Sequence, residues 1–146
     1  MKIATTPNIE NFTMNADTNE LSKLRVFIDN FCEKNNIPQD ISFNIQLVVD
    51  EICTNIIKHS YKSDATKKIW IELTFGNNLL KVKISDEGKP FNLIEYNSQK
   101  LDDYLSHPHK GGLGIPLVKM LSNKIKYIPQ SSTQNKNTLE IEFFLV

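Results

Sequence analysis

The sequence predicts an α+β domain. Three observations carry that expectation. Two early stretches repeat apolar residues at helical spacing; residues 67–84 alternate apolar and polar side chains around a turn signal; and a glycine-led helical stripe precedes a closing run of period two. At 146 residues the chain fits a single domain over residues 1–146, long enough to bury a core without staples.

Taken in order, residues 9–14 form a short first strand. Asp17, with Glu20 three residues on, offers the reciprocal cap of a first helix. Leu21, Leu24, Phe27, Ile28 and Phe31 carry that helix to about Lys34, and Asn35, Asn36 and Pro38 break it. Asp40 caps helix two, whose apolar stripe is Ile41, Ile45, Val48, Ile52 and Ile56. Residues 67–75 place Ile69, Ile71, Leu73 and Phe75 on one strand face, and Gly76, Asn77 and Asn78 signal a turn. Leu80, Val82 and Ile84 continue in period two, and Asp86 falls in their phase. Residues 92–109 have no clean period, and a stretch this long in a compact domain is functional or mobile. Ile115, Val118 and Leu121 then repeat at helical spacing, with Pro116 tolerated in the first turn. Residues 124–128 read as a strand, residues 130–137 as a turn, and Leu139, Ile141, Phe143 and Leu145 as a half-buried last strand alternating with Glu140 and Glu142.

Composition narrows the function. Hydrophobic residues are 40% and charged residues 23%, an ordinary globular balance. Seventeen basic and seventeen acidic residues cancel. That excludes a protein held to nucleic acid mainly by counterion release, so no direct nucleic-acid partner is expected. Cys32 and Cys53 are too few for a disulfide framework and read as small buried hydrophobes. No apolar stretch approaches the ~20 residues needed to cross a bilayer, and the N-terminus lacks the apolar run of a secretory signal. The expectation is a cytoplasmic protein without membrane contact.

Three clusters could carry chemistry. On helix two, Glu51, Asn55 and Lys58 fall on one flank of the apolar stripe at about 100° per residue. A carboxylate, a neutral oxygen donor and an ammonium there could hold a hard cation and a phosphate chain; alone, the cluster reads better as the polar shoulder of an amphipathic helix. In the second cluster, Asp86 ends a strand in apolar phase, Gly88 permits a turn and Pro90 stiffens it. An inward carboxylate is costly unless bound, and it can accept a hydrogen bond from a ligand amine. The third is Lys110, Gly111, Gly112, Leu113 and Gly114 at the start of a helix, where backbone N–H groups can approach phosphates. Its spacing matches neither the P-loop nor the dinucleotide fingerprint.

In order, Glu51-x-x-x-Asn55-x-x-Lys58-His59, Asp86-x-Gly88-x-Pro90-Phe91 and Gly111-Gly112-x-Gly114 resemble the N, G1 and G2 boxes of the histidine-kinase-like (GHKL) ATPases. The resemblance spans nearly the whole chain. It implies the Bergerat-type fold, a two-layer α/β sandwich of a mixed, mostly antiparallel sheet with helices on one face. The short chain and Glu51 opening the first box look most like the serine-protein-kinase anti-sigma factors. Sensor histidine kinases usually have Asn there and carry a separate phosphoacceptor helix, which nothing here resembles.

The resemblance implies ATP and Mg²⁺ as cofactors, an anti-anti-sigma (STAS-type) partner phosphorylated on serine, a sigma factor sequestered in the other state, and a homodimer. By position, Asn55 coordinates Mg²⁺, Glu51 is general base toward the serine hydroxyl, and Lys58 lies near the phosphates. Asp86 accepts from the adenine amino group and Gly88 leaves the ring room. Lys110, Gly111, Gly112, Leu113 and Gly114 close over the phosphates at the end of a lid. Phosphoryl transfer is mostly positioning and charge neutralisation, so this set can suffice. The alternative is a nucleotide-gated regulatory binding module without significant kinase activity; a detached histidine-kinase catalytic domain is a third reading. His59 reads as a packed histidine within the apolar stripe. His107 and His109 lack accompanying ligands and read as solvated lid. Arg25, the only arginine, reads better as a solvated surface residue than as a partner contact.

Overall fold

The computed structural model describes residues 6–91 and 114–145. Lys110, Gly111, Gly112 and Leu113 of the expected phosphate lid lie outside those residues, as do His107 and His109.

The elements run β1 (Asn8–Asn15), a 3₁₀ turn (Thr18–Glu20), α1 (Leu21–Lys34), α2 (Gln39–Asn55), a π-helical turn (Ile56–Ser60), β2 (Lys68–Gly76), β3 (Leu79–Asp86), α3 (Gly114–Leu121), β4 (Lys124–Ile128) and β5 (Asn137–Phe144). The five strands form one sheet in the order β1-β2-β3-β5-β4. Every pairing among the described residues is antiparallel, so the expected mixed sheet is corrected to an antiparallel one. The reason is topological: β5 folds back on β4 as a hairpin and enters between β4 and β3, antiparallel to both.

Alternation divides the sheet into two unlike faces. Ile69, Ile71 and Leu73 of β2, Leu80, Val82 and Ile84 of β3, and Leu139, Ile141 and Phe143 of β5 are buried. They join Leu24, Ile28 and Phe31 of α1 and Ile45, Val48 and Ile52 of α2 in one core, so the helices cover a single face of the sheet. On the other face the register sets Glu72, Lys83, Glu140 and Lys126 in one row across four strands. Lys83 pairs with Glu140 at 3.9 Å and Lys81 with Glu142 at 3.7 Å. Opposite charges across neighbouring strands keep this face soluble and fix the register. The β2–β3 turn holds Asn77 and Asn78 at φ 52° and 58°, the left-handed pair that a tight hairpin needs.

Four local expectations change. Asp17 accepts from Asn19 N–H at 2.9 Å and starts the 3₁₀ turn rather than α1. Glu20 becomes the residue before α1 and bonds Asn15 and Lys23 instead of reciprocating the cap. The residue preceding α2 is Pro38 with ψ 147°, and Asp40 lies in the first turn without a capping bond. Beyond Asn55 the helix widens: Tyr61 N–H reaches back to Ile56 C=O at 3.0 Å, and Ser63 N–H to Ile57 C=O at 2.7 Å. The last strand ends at Phe144, one residue short of Leu145.

Candidate nucleotide site

Glu51 and Asn55 stand one turn apart at the end of α2, each half-buried. Asn55 Nδ2 donates to Glu51 Oε1 at 2.9 Å and to the Glu51 backbone oxygen at 2.7 Å. The spacing placed them together, and they are bonded. With Nδ2 turned back on Glu51, the planar amide directs Asn55 Oδ1 the other way, and no described residue donates to it. Lys58 follows in the π-helical turn and is exposed, and among the described residues it forms no hydrogen bond or ion pair to Glu51, Asn55 or Asp86.

Asp86 ends β3 on the apolar face and is 4% exposed. Its Oδ1 accepts from Gly88 N–H at 2.9 Å and from Asn137 Nδ2 at 3.0 Å. Among the described residues nothing donates to Oδ2. Burial pushes this carboxyl above the usual aspartate range, while the Asn137 and Gly88 donors pull it back.

The loop after Asp86 lies directly on the end of the π-helical turn that follows α2. A Cβ on Gly88 would stand 2.7 Å from Ser60 O and 2.9 Å from Tyr61 Cδ1. Glycine is required here because two backbones meet, so the room expected for a ligand ring is not on that side of Gly88. Lys89 N–H donates to Ser60 C=O at 3.2 Å. Tyr61 Oη accepts from Glu87 N–H at 2.7 Å and donates to Lys68 C=O at 2.5 Å. Tyr127 Oη accepts from Phe91 N–H at 3.0 Å.

Asn137, Tyr61 and Tyr127 were not singled out from the sequence. Asn137 had a readable signal. It stands two residues before Leu139, a polar side chain in apolar phase like Asp86, but it was assigned to the preceding turn. The two tyrosines act through hydroxyls fixed by tertiary packing, which no spacing encodes.

His59 is corrected: it is exposed, and its ring stacks on Phe91 with centroids 4.9 Å apart. The π-helical turn carries it out of the stripe. Arg25 is corrected too. It donates to Asp50 Oδ2 at 2.6 Å and joins α1 to α2, while Asp50 Oδ1 is buried without a partner among the described residues. Cys32 and Cys53 are buried free thiols, as expected.

Among the described residues no group of three or more His, Cys, Asp or Glu side chains converges as a metal cage. A cation here would rely on single oxygen ligands plus the phosphates, the usual manner of Mg²⁺. Asn55 Oδ1 fits that requirement as a neutral oxygen at the mouth of the pair. No helix among the described residues is long and apolar enough to cross a membrane.

The sequence matches the histidine kinase-like ATPase domain family over residues 14–143. It is 24% identical over 110 residues to the serine-protein kinase RsbW of Bacillus licheniformis, covering 70% of this chain and 67% of that protein. It is 31% identical over 88 residues to RsbW of Bacillus subtilis strain 168, covering 57% of this chain and 54% of that protein. The alignment therefore spans little more than half the length of the second relative. A chain of the SiaB–SiaC complex from Pseudomonas aeruginosa shares the fold, with a TM-score of 0.66, 10% identity, and coverage of 92% of this chain and 88% of that one.

Proposed function

The chain belongs to the histidine kinase-like ATPase family, and on that premise we propose that it is an ATP-binding serine protein kinase and anti-sigma factor. It phosphorylates an anti-anti-sigma (STAS-type) protein and sequesters a sigma factor in its alternate state. The observation that carries the reading is the buried Asp86, with Oδ1 bonded by two donors, before a loop that lies on the π-helical turn continuing the helix in which Asn55 bonds Glu51. A buried carboxylate with one oxygen that no described residue bonds is an expensive group for a fold to keep without a use.

Asp86 Oδ2 accepts from the adenine amino group. Glu51, held by the Asn55 amide, takes the proton of the attacking serine hydroxyl. The serine oxygen forms its bond to the γ-phosphorus as the bond to the β–γ bridging oxygen breaks and ADP leaves. Asn55 Oδ1 would hold Mg²⁺, which when bound would neutralise phosphate charge. Lys58 contributes charge at the phosphates, and backbone N–H groups of Lys110, Gly111, Gly112, Leu113 and Gly114 close over them. Residues 1–146 act as one domain, in the cytoplasm, as a homodimer.

Two measurements test this. Thermal unfolding with Mg·ATP, Mg·ADP and Mg·GTP is expected to show an adenine-selective shift; a ligand at 100 times its Kd stabilises by about 2.7 kcal/mol. Incubation with labelled ATP and an anti-anti-sigma protein is then expected to give an acid-stable phosphoprotein. A shift without phosphate transfer makes the chain a nucleotide-gated binding module. No shift at millimolar nucleotide removes the ATP-dependent reading altogether.

A further inference from the structure

The segment that follows β3, residues 87–91, is fastened at every backbone donor it has. Glu87 N–H donates to Tyr61 Oη at 2.7 Å, Gly88 N–H to Asp86 Oδ1 at 2.9 Å, Lys89 N–H to Ser60 C=O at 3.2 Å and Phe91 N–H to Tyr127 Oη at 3.0 Å. Pro90 has no N–H to satisfy. The first three partners belong to β3 itself, to the π-helical turn and to the tyrosine just after it. The last belongs to β4, the edge strand beyond β5.

Phe91 carries that bond onward. Its ring stacks on His59, with centroids 4.9 Å apart and planes 19° from parallel. His59 stands beside Lys58 in the π-helical turn, which directly follows Asn55. Turns of this kind are rare and occur frequently at functional sites. Tyr127 Oη, the backbone and ring of Phe91, and the ring of His59 thus form one chain of contacts from β4 to that turn. Removing the tyrosine oxygen leaves a half-buried N–H without its partner. The ring that braces His59 then loses its anchor.

We propose that Tyr127 is a positioning residue for the phosphate end of the site: it sets Phe91, and through Phe91 and His59 the turn that carries Lys58. This deepens the reading above and rests on it, since it takes Lys58 to contribute charge at the phosphates. Tyr127 touches no substrate. Asp86 also lies within electrostatic reach of Tyr127, and the two directions separate by ligand. An effect through Lys58 weakens a nucleotide and spares the nucleoside. An effect through Asp86 weakens both alike.

The test is calorimetric binding of Mg·ADP, and of adenosine by displacement, to the full chain and to Tyr127→Phe, which keeps the ring and removes only the acceptor. ADP affinity is expected to fall about three- to tenfold, the range of one lost hydrogen bond, while adenosine affinity stays at the parent value. His59→Ala breaks the stack downstream and should give a similar loss, with little further loss when the two substitutions are combined. In a Lys58→Met background, Tyr127→Phe should cost ADP nothing more. An equal fall for adenosine, or the full additional loss in the Lys58→Met background, overturns the inference; so does unchanged ADP affinity in a folded Tyr127→Phe protein. If circular dichroism shows that Tyr127→Phe is unfolded, His59→Ala, at an exposed position, is read by the same ratio. Failure of the parent to bind ADP overturns the underlying site. Parent ADP affinity in Lys58→Met overturns the role of Lys58, and that of Tyr127 with it, while leaving the rest of the site standing.

Discussion

Asp86 and Glu51 are two carboxylates in one candidate site, held in opposite ways. Asp86 is 4% exposed and fixed by its own loop and by a second strand, and Tyr61 anchors the adjoining peptide. Glu51 is half-buried, and its carboxylate accepts only from Asn55 of the same helix among the described residues. The difference separates recognition from chemistry. A group that reads a base gains from being set before the ligand arrives. A general base must hold a proton in one step and release it in another, so it gains from one partner and partial contact with solvent.

The largest expected effect tests the chemical half of that contrast. Glu51→Gln keeps the size and the acceptor oxygen for Asn55 but removes the base. Phosphate transfer to the protein partner is expected to fall about 10²- to 10⁴-fold, while ADP affinity measured by calorimetry stays at the parent value. Transfer at the parent rate would show that Glu51 does not take the proton.

Asp86→Asn tests the recognition half. ADP binding is expected to weaken by about 100-fold, since the ligand donor then meets an amide in place of an acceptor fixed as a carboxylate. Stability without nucleotide moves the other way. The folded carboxyl sits above its ordinary value of 3.8 because of burial. Between 3.8 and the raised folded value the native state holds more protons than the unfolded chain, so stability falls as pH rises through that window. The neutral variant escapes this loss. Its Tm relative to the parent should therefore rise as pH climbs from the ordinary aspartate value through the raised folded one; a constant difference would show that Asp86 carries no ionisation cost.

Much of this was legible in the chain, for reasons that particular residues make plain. Ile69, Ile71 and Leu73 alternate strictly, and strict alternation has one solution on a sheet with one covered face. Asp86 was legible because it broke that pattern in phase, and Glu51 with Asn55 because four residues make one helical turn. The widening of the helix after Asn55 was not legible, because the π-helical hydrogen bond from Tyr61 N–H to Ile56 C=O depends on what packs there. Asn137 escaped because the polar run before it reads as a turn. Its partner Asp86 lies 51 residues away, and pairing at that range belongs to the topology rather than to any local period.

Gly88→Ala reaches the contact between the two halves of the site. The added methyl would meet Ser60 O at 2.7 Å, a backbone atom that cannot turn aside. The loop must lift from the π-helical turn, at a cost of about 1–3 kcal/mol, and Asp86 Oδ1 loses the Gly88 N–H geometry. Thermal unfolding should show the lost stability, and calorimetry should show weaker ADP binding in the same variant. Lost stability with unchanged ADP affinity would separate the loop's packing from base recognition.

The smallest effect belongs to a third carboxylate, next in sequence to Glu51 but outside the site. Asp50 Oδ2 accepts from Arg25 at 2.6 Å, and Oδ1 is buried without a partner among the described residues. Burial raises the Asp50 carboxyl, and Arg25 opposes the rise. Arg25→Ala removes that opposition, so ionised Asp50 becomes costlier. Both side chains are partly exposed, at 43% and 31%, which limits the destabilisation to about 1 kcal/mol or less. Because a raised folded pKa loses stability as pH rises through it, the Tm deficit should be larger at pH 7 than near pH 4. Adding Asp50→Asn should remove the pH dependence. ADP affinity should not change in either variant, since this pair fastens α1 to α2 and takes no part in holding Asp86. A loss of ADP affinity in Arg25→Ala would mean that the helix pair, as well as the strands, sets the nucleotide site, and the division between a preset recognition carboxylate and a loosely held catalytic one would no longer stand.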